Sequence, residues 1–279
     1  MKSPVMTAPA DISATAKITP VTTRRRRLPE RLLFGLIGLA IILPAWEIIA
    51  RLGLVKSVLI SSPSAIAVAA WEVFSTGEIW PHIGASAQSF AIGLGLAIAI
   101  GIPIGMLMGL FRPLEQLLYP LIYGIYSTPK VAIIPLIIVI AGLGLAQQAT
   151  VVFLSCVFTL IIATTQGVQA ADARHIEVAR YFGASRWLRL RSVVLPTTVP
   201  FIATGLRIAT GRALVGIVVA EFIASNVGIG YFISFNGAFL KTDRMFVGLL
   251  LLGVLGMVMG ELVRRFEQSF ERWRPVALN

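Results

Sequence analysis

Six apolar runs dominate the chain, at about residues 32–50, 85–110, 117–141, 149–168, 200–222 and 245–263. Each is about as long as a helix must be to cross the hydrocarbon core of a bilayer. A segment in lipid has no water to satisfy its backbone N–H and C=O groups, so it must satisfy them internally, as a helix does. Composition points the same way. The chain is 57% apolar and 13% charged, against about 45–50% and 25% in soluble domains. The expectation is an all-α integral membrane protein with six transmembrane helices. Residues 1–31 form a flexible polar arm, 32–270 the membrane domain and 271–279 a short tail.

The formal net charge of +11 has two readings, a phosphate-binding surface or the positive-inside bias of a membrane protein. Distribution decides between them. With six spans and both ends inside, seventeen of the 24 Lys and Arg fall on inner segments and four (Arg51, Lys56, Lys241 and Arg244) on outer ones. Lys130, Arg207 and Arg212 lie within spans. The charge therefore reports orientation rather than nucleic acid. Arg24–Arg27 abuts the first apolar run as a cytoplasmic anchor at the lipid surface. No small-residue cleavage pattern follows that run, so it is read as an uncleaved span. Cys156 is the single cysteine, and His82 and His175 are far apart. No disulfide framework or metal site is expected.

Within the spans, Gly101, Gly105 and Gly109 recur every four residues, a ridge that lets another helix approach closely. Gly256 and Gly260 repeat that spacing in the sixth run. The third run is interrupted at Thr128-Pro129-Lys130 and Pro135, so it should face protein or water rather than lipid. Charge inside a membrane is costly. Lys130, Arg207, Arg212 and Glu221 are accordingly expected to point into a bundle or cavity, either lining a pathway for an anion or pairing internally, with Glu221 or Glu47 as the acid.

Between the fourth and fifth runs lies a basic connector, residues 172–196, with five arginines. Asp172 is placed to cap a short helix through Phe182, and Gly183 to end it in a left-handed conformation. Ser185 caps a second helix, which is not expected to continue normally through Pro196. Trp187, Leu190 and Val194 share one face of it, Arg186 and Arg189 another. This helix-turn-helix is either a knob that docks on a protein or a basic hairpin lying on anionic lipid.

The connector also carries Glu177-Val178-Ala179, Gly183 six residues after the Glu, and Val193-x-Leu195-Pro196. In this it resembles the E-A-A loop of ABC importer permeases, with Val178 and Val193 where Ala and Ile are usual. The resemblance implies a coupling helix that docks in a groove of a separate ATPase subunit. Glu177 would lie at that contact, Ala179 would permit close approach, Gly183 would make the turn, and Leu195-Pro196 would lead into the next span. It further implies two ATPases, a solute-binding protein outside and a second copy of the permease, at the bacterial inner membrane. The chain contains no Gly-Lys pair and hence no Walker A loop. ATP and Mg²⁺ are therefore expected on the partner, and this chain is not expected to be an enzyme. Ser127–Leu136 followed by Gly142-Leu143-Gly144, with Gly205-Leu206-Arg207 and Ala220-Glu221-Phe222, is similar to the nitrate/sulfonate/taurine branch. The alternative function is an ion-gradient-driven secondary transporter, whose span-five charges would relay protons.

Overall fold

The computed structural model describes residues 28–52 and 60–269, and among them the chain is all-α. The arm 1–27 with Arg24–Arg27, residues 53–59 with Lys56, and residues 270–279 with Arg272 and Arg274 lie outside the described residues. The chain divides into two compact units, 1–45 and 46–279. Described residues of the first belong to α1 (Leu28–Arg51), a helix that covers the first apolar run and tolerates Pro44.

In the second unit, Ser62 accepts a hydrogen bond from the Ala65 N–H and starts α2 (Pro63–Ser75), as the Ser-Pro-Ser sequence leads one to expect. Helices α3 (Ile79–Leu110), α6 (Leu145–Gln169) and α11 (Thr242–Ser269) are each long and apolar enough to cross a membrane. The third run is not one straight helix. It is α4 (Arg112–Ser127), a 3₁₀ turn (Lys130–Ile133) and α5 (Ile134–Ala141), bent by 89°. Pro129 supplies no backbone N–H, which is why the helix stops where it does. Helix α9 (Leu195–Ala224) is followed by α10 (Ile229–Ala238) across a 47° bend. Counting each bent pair as one span brings the number to five among the described residues searched.

Helix α6 is the most buried of the spanning helices, because α3 and α9 pack against it. The glycine ridge makes the first contact. A Cβ built on Gly105 would stand 2.6 Å from the Ile161 carbonyl oxygen, and one on Gly109 would stand 2.5 Å from the Val168 Cβ. Gly93 and Ala97 extend the seam toward the start of α3. On the other side, a Cβ on Gly205 of α9 would meet the Ala163 Cβ at 2.5 Å. Gly256 and Gly260 of α11 do not behave this way. Added Cβ atoms would find only Leu214 at 3.7 Å and nothing within 4 Å, respectively. Four-residue spacing lines small residues on one face, but a ridge is used only where a helix lies against it.

Outside the seam, Arg244 joins the start of α11 to Glu72 and Glu78, at 2.7 and 3.0 Å. Trp46 and Phe246 pack ring to ring. Substitution of Gly105 by Leu should lower the thermal midpoint of the detergent-solubilised protein or abolish its folded yield, since overpacking costs about 1–3 kcal/mol or more. Gly253→Leu, where a Cβ meets nothing within 4 Å, should leave the midpoint unchanged in the same melt.

Candidate functional site

Two regions gather the residues singled out from the sequence. The first is the connector. Asp172 accepts the Arg174 N–H at 2.8 Å and caps α7 (Ala173–Tyr181). Gly183 takes φ +77°, a conformation that costs any residue with a Cβ. The Ala184 N–H closes on the Ala179 carbonyl at 3.0 Å, so the corner is hydrogen-bonded. Ser185 accepts from the Leu188 N–H and caps α8 (Arg186–Arg189). Tyr181 and Phe182, at the corner, are 89% and 87% exposed.

At Pro196 the second helix neither continues as a regular α-helix nor stops. A π-helical turn over Leu190–Val194 connects α8 directly to α9. In a regular α-helix the Pro196 ring would press on the Ser192 carbonyl. The π turn inserts an extra residue at that point and closes on a longer bond, Leu195 N–H to the Leu190 carbonyl. Thr197 and Thr198 then donate to the Val193 and Val194 carbonyls at 2.8 and 2.7 Å. Residues of α7 and of the π–α9 junction face each other across a cleft of about 510 Å³, lined by Val178, Ala179, Val193 and Pro196 among others. Glu177 is exposed on α7 and Leu195 is half-buried.

The second region is a cleft of about 500 Å³ bounded by the α4–α5 break, α6 and α9. Lys130 and Arg212 both line it, with Tyr126 and Ser155. Lys130 directs its Nζ at the carbonyls of Ile125, Tyr126 and Thr128, at 2.8, 2.5 and 3.0 Å. These carbonyls lie at the broken end of α4, where the regular i→i−4 ladder stops; that of Ile125 also accepts the Thr128 N–H. Arg212 donates to the Tyr126 hydroxyl at 2.7 Å and lies 4.5 Å from the ring centroid. Among the described residues neither cation is ion-paired to a carboxylate.

Arg207 and Glu221 are not brought to this cleft. Arg207 pairs with the buried Glu267 at 3.3 Å, and Thr204 donates to the same carboxylate at 3.1 Å. Glu221 accepts from the Ser86 hydroxyl at 2.6 Å and the Gly230 N–H at 2.7 Å. Ser86 in turn accepts from the Ile229 N–H, and His82 Nδ1 accepts from the Gly228 N–H. The N-terminus of α10 is thus capped by side chains from α3 and α9. A Cβ on Gly228 would overlap the Glu221 carboxyl. The internal acid expected from the sequence, Glu221 or Glu47, is not the one used: Arg207 pairs with Glu267 instead, while Glu221 caps α10 and Glu47 bonds Ser64 and Arg51. Ser86, Tyr126 and Glu267 are not singled out by the sequence, because nothing in their local sequence marks them, and His82 is weighed there only as a metal ligand.

Residues 101–272, which hold both regions, match the family described as the binding-protein-dependent transport system inner membrane component. The chain belongs to this family. Among its relatives is the putative aliphatic sulfonates transport permease protein SsuC of Bacillus subtilis (strain 168). It is 31% identical over 240 residues, 86% of this chain and 87% of that protein. The taurine transport system permease protein TauC of Escherichia coli (strain K12) is 28% identical, covering 84% and 87%. The riboflavin transport system permease protein RibX of Chloroflexus aurantiacus is 31% identical, covering 93% and 98%. Among solved structures, an inward-facing MetNI methionine ABC transporter aligns with a TM-score of 0.61 at 18% identity. That alignment spans 70% of this chain and 98% of the matched one, a likeness of fold. The chain is therefore an ABC transporter permease of importer type, a multi-pass membrane component rather than an enzyme, and it is similar to the sulfonate/taurine branch.

Within this permease the Glu221 cluster is a helix cap. Glu221→Ala leaves two buried donors without an acceptor, at about 1–3 kcal/mol each. Its thermal midpoint should fall well below that of Glu221→Gln, which retains an acceptor oxygen.

Proposed function

We propose that this chain is the permease subunit of an ATP-driven importer that carries a small anionic, sulfonate-like solute across the bacterial inner membrane. Two copies form the pore, two ATPase subunits bind ATP and Mg²⁺ beneath it, and a solute-binding protein delivers cargo from outside. Six spans with both ends cytoplasmic place the connector on the ATPase side.

The observation that carries this reading is mechanical. The connector is fastened to a spanning helix without a break, since helical structure runs from Arg186 to Ala224 through the π turn. A movement imposed at the exposed Tyr181–Gly183 corner would reach Arg186 through the capped Ala184-Ser185 step and then run along one continuous rod to Arg212, on the wall of the cleft. ATPase closure would then move residues 172–196 as a lever, and rocking of the rods would open the pore alternately to each side. Glu177, Val178, Ala179 and Gly183 would form the docking side of the lever. Val193, Leu195 and Pro196 would form its attachment to α9. Two observations support an anionic cargo: the cleft holds two cations without acids, and relatives are named for aliphatic sulfonates and taurine.

Gly183→Pro forbids φ +77°, because proline holds φ near −65°. In proteoliposomes containing the assembled transporter, this variant should insert and associate normally in the membrane yet reduce ATP-driven uptake to background. Wild-type uptake by Gly183→Pro would overturn the lever.

A further inference from the structure

We propose that the cleft between the α4–α5 break, α6 and α9 is itself a binding site for a small organic anion. The oxoanion head is held by the Arg212 guanidinium over Tyr126, and a short aliphatic body lies along the apolar wall. This deepens the anion-import reading above and rests on it.

Three observations point to this ligand. Arg212 lies inside a spanning helix with no carboxylate partner among the described residues. A charge in that setting is costly unless something neutralises it. Tyr126 fixes the guanidinium through its hydroxyl and its ring, and engages only part of a five-donor fork. The remaining N–H groups suit the bidentate recognition of an oxoanion. Lys130 differs, because its three donors already meet three carbonyls. It adds positive potential and holds the break that shapes the cleft, so it is a positioning residue.

Size and polarity define the rest of the ligand. About 500 Å³ is in the range of small-molecule sites, about 300–1,000 Å³, and far exceeds a bare inorganic anion. Val131, Ile134, Val151, Ile208 and Val219 make most of the remaining wall apolar. The Ser155 hydroxyl there donates to the Val151 carbonyl at 2.7 Å and does not compete with Arg212 as a donor. A cationic anchor at one side of an apolar cleft selects an amphiphile with an anionic head and a short alkyl chain over sulfate or nitrate.

The test uses the assembled permease–ATPase complex in nanodiscs without binding protein, titrated with labelled ethanesulfonate, butanesulfonate and sulfate. Butanesulfonate should bind saturably, with affinity rising about fourfold per added methylene and sulfate weakest. Arg212→Gln should weaken butanesulfonate binding by about tenfold or more, and Arg212→Lys by less. Arg207→Gln, outside the cleft, should bind as wild type. Val215→Trp, at a wall position that is 65% exposed, should weaken butanesulfonate more than ethanesulfonate. The proposal is overturned if wild type shows no saturable butanesulfonate binding or binds sulfate as tightly. It is also overturned if Arg212→Gln, eluting as intact complex, binds butanesulfonate as wild type. Should Arg212→Gln not assemble, unchanged binding of both sulfonates by Val215→Trp overturns it instead. Butanesulfonate uptake by the Gly183→Pro transporter separates the two readings. Lost uptake there with wild-type binding by Arg212→Gln removes the site and keeps the importer. Wild-type uptake there with weakened binding by Arg212→Gln keeps the site and removes the lever.

Discussion

The contact on which the rest of the permease depends is the close approach of α3 and α9 to opposite sides of α6. Lipid tails are as apolar as leucine, so helices in a bilayer gain nothing by hiding hydrophobic surface from water and must gain by contact instead. Here the contact is between backbones. Gly93, Gly105 and Gly109 leave no room for a Cβ against α6, Gly101 leaves only a tight one, and Gly205 closes the opposite side on Ala163. This sandwich sets the rotation of α9, and with it the position of Arg212. The cleft uses the same construction: a Cβ on Gly216 would stand 2.7 Å from the Ser155 hydroxyl, so α6 and α9 form one continuous wall.

Lys130, Arg207, Arg212 and Glu221, with the groups that meet them, fall into two kinds. Most serve helix ends or pair with each other. Glu221 and Ser86 accept the first N–H groups of α10, Lys130 donates to carbonyls at the end of α4, and Arg207 meets Glu267. Each offsets the cost of placing a polar group away from water. Arg212 is of the second kind. It touches a tyrosine and has no acid among the described residues, so the structure neither explains its charge as a cap nor neutralises it. That asymmetry gives the cleft its polarity.

The connector has the opposite physical character, since rigidity there comes from backbone bonding rather than packing. Two side-chain caps, a hydrogen-bonded glycine corner and a π turn hold it, although most of its surface is exposed. The π turn is the part that matters for transmission. A helix broken at Pro196 would have been a hinge; the extra residue lets the chain pass the proline and remain one rod into α9.

Much of this was legible along the chain. The apolar runs declare helices, Asp172, Gly183 and Ser185 declare the corner, and Pro129 declares the break, because each acts over one or two turns of backbone. The size of the bend, the passage through Pro196 and the idleness of Gly256 and Gly260 were not legible, since each depends on what lies alongside. Nor was the fate of the four intramembrane charges. Ser86 and Glu221 meet across 135 residues, and no local period encodes such a meeting. The sequence by itself determined that this is a helical membrane protein and where several of its local caps, corners and breaks fall. Tertiary structure alone decided which charges are consumed and which one is left facing a cleft. The physical reason is that the rotation of each helix is set by the side-chain volumes of its neighbours across the seam.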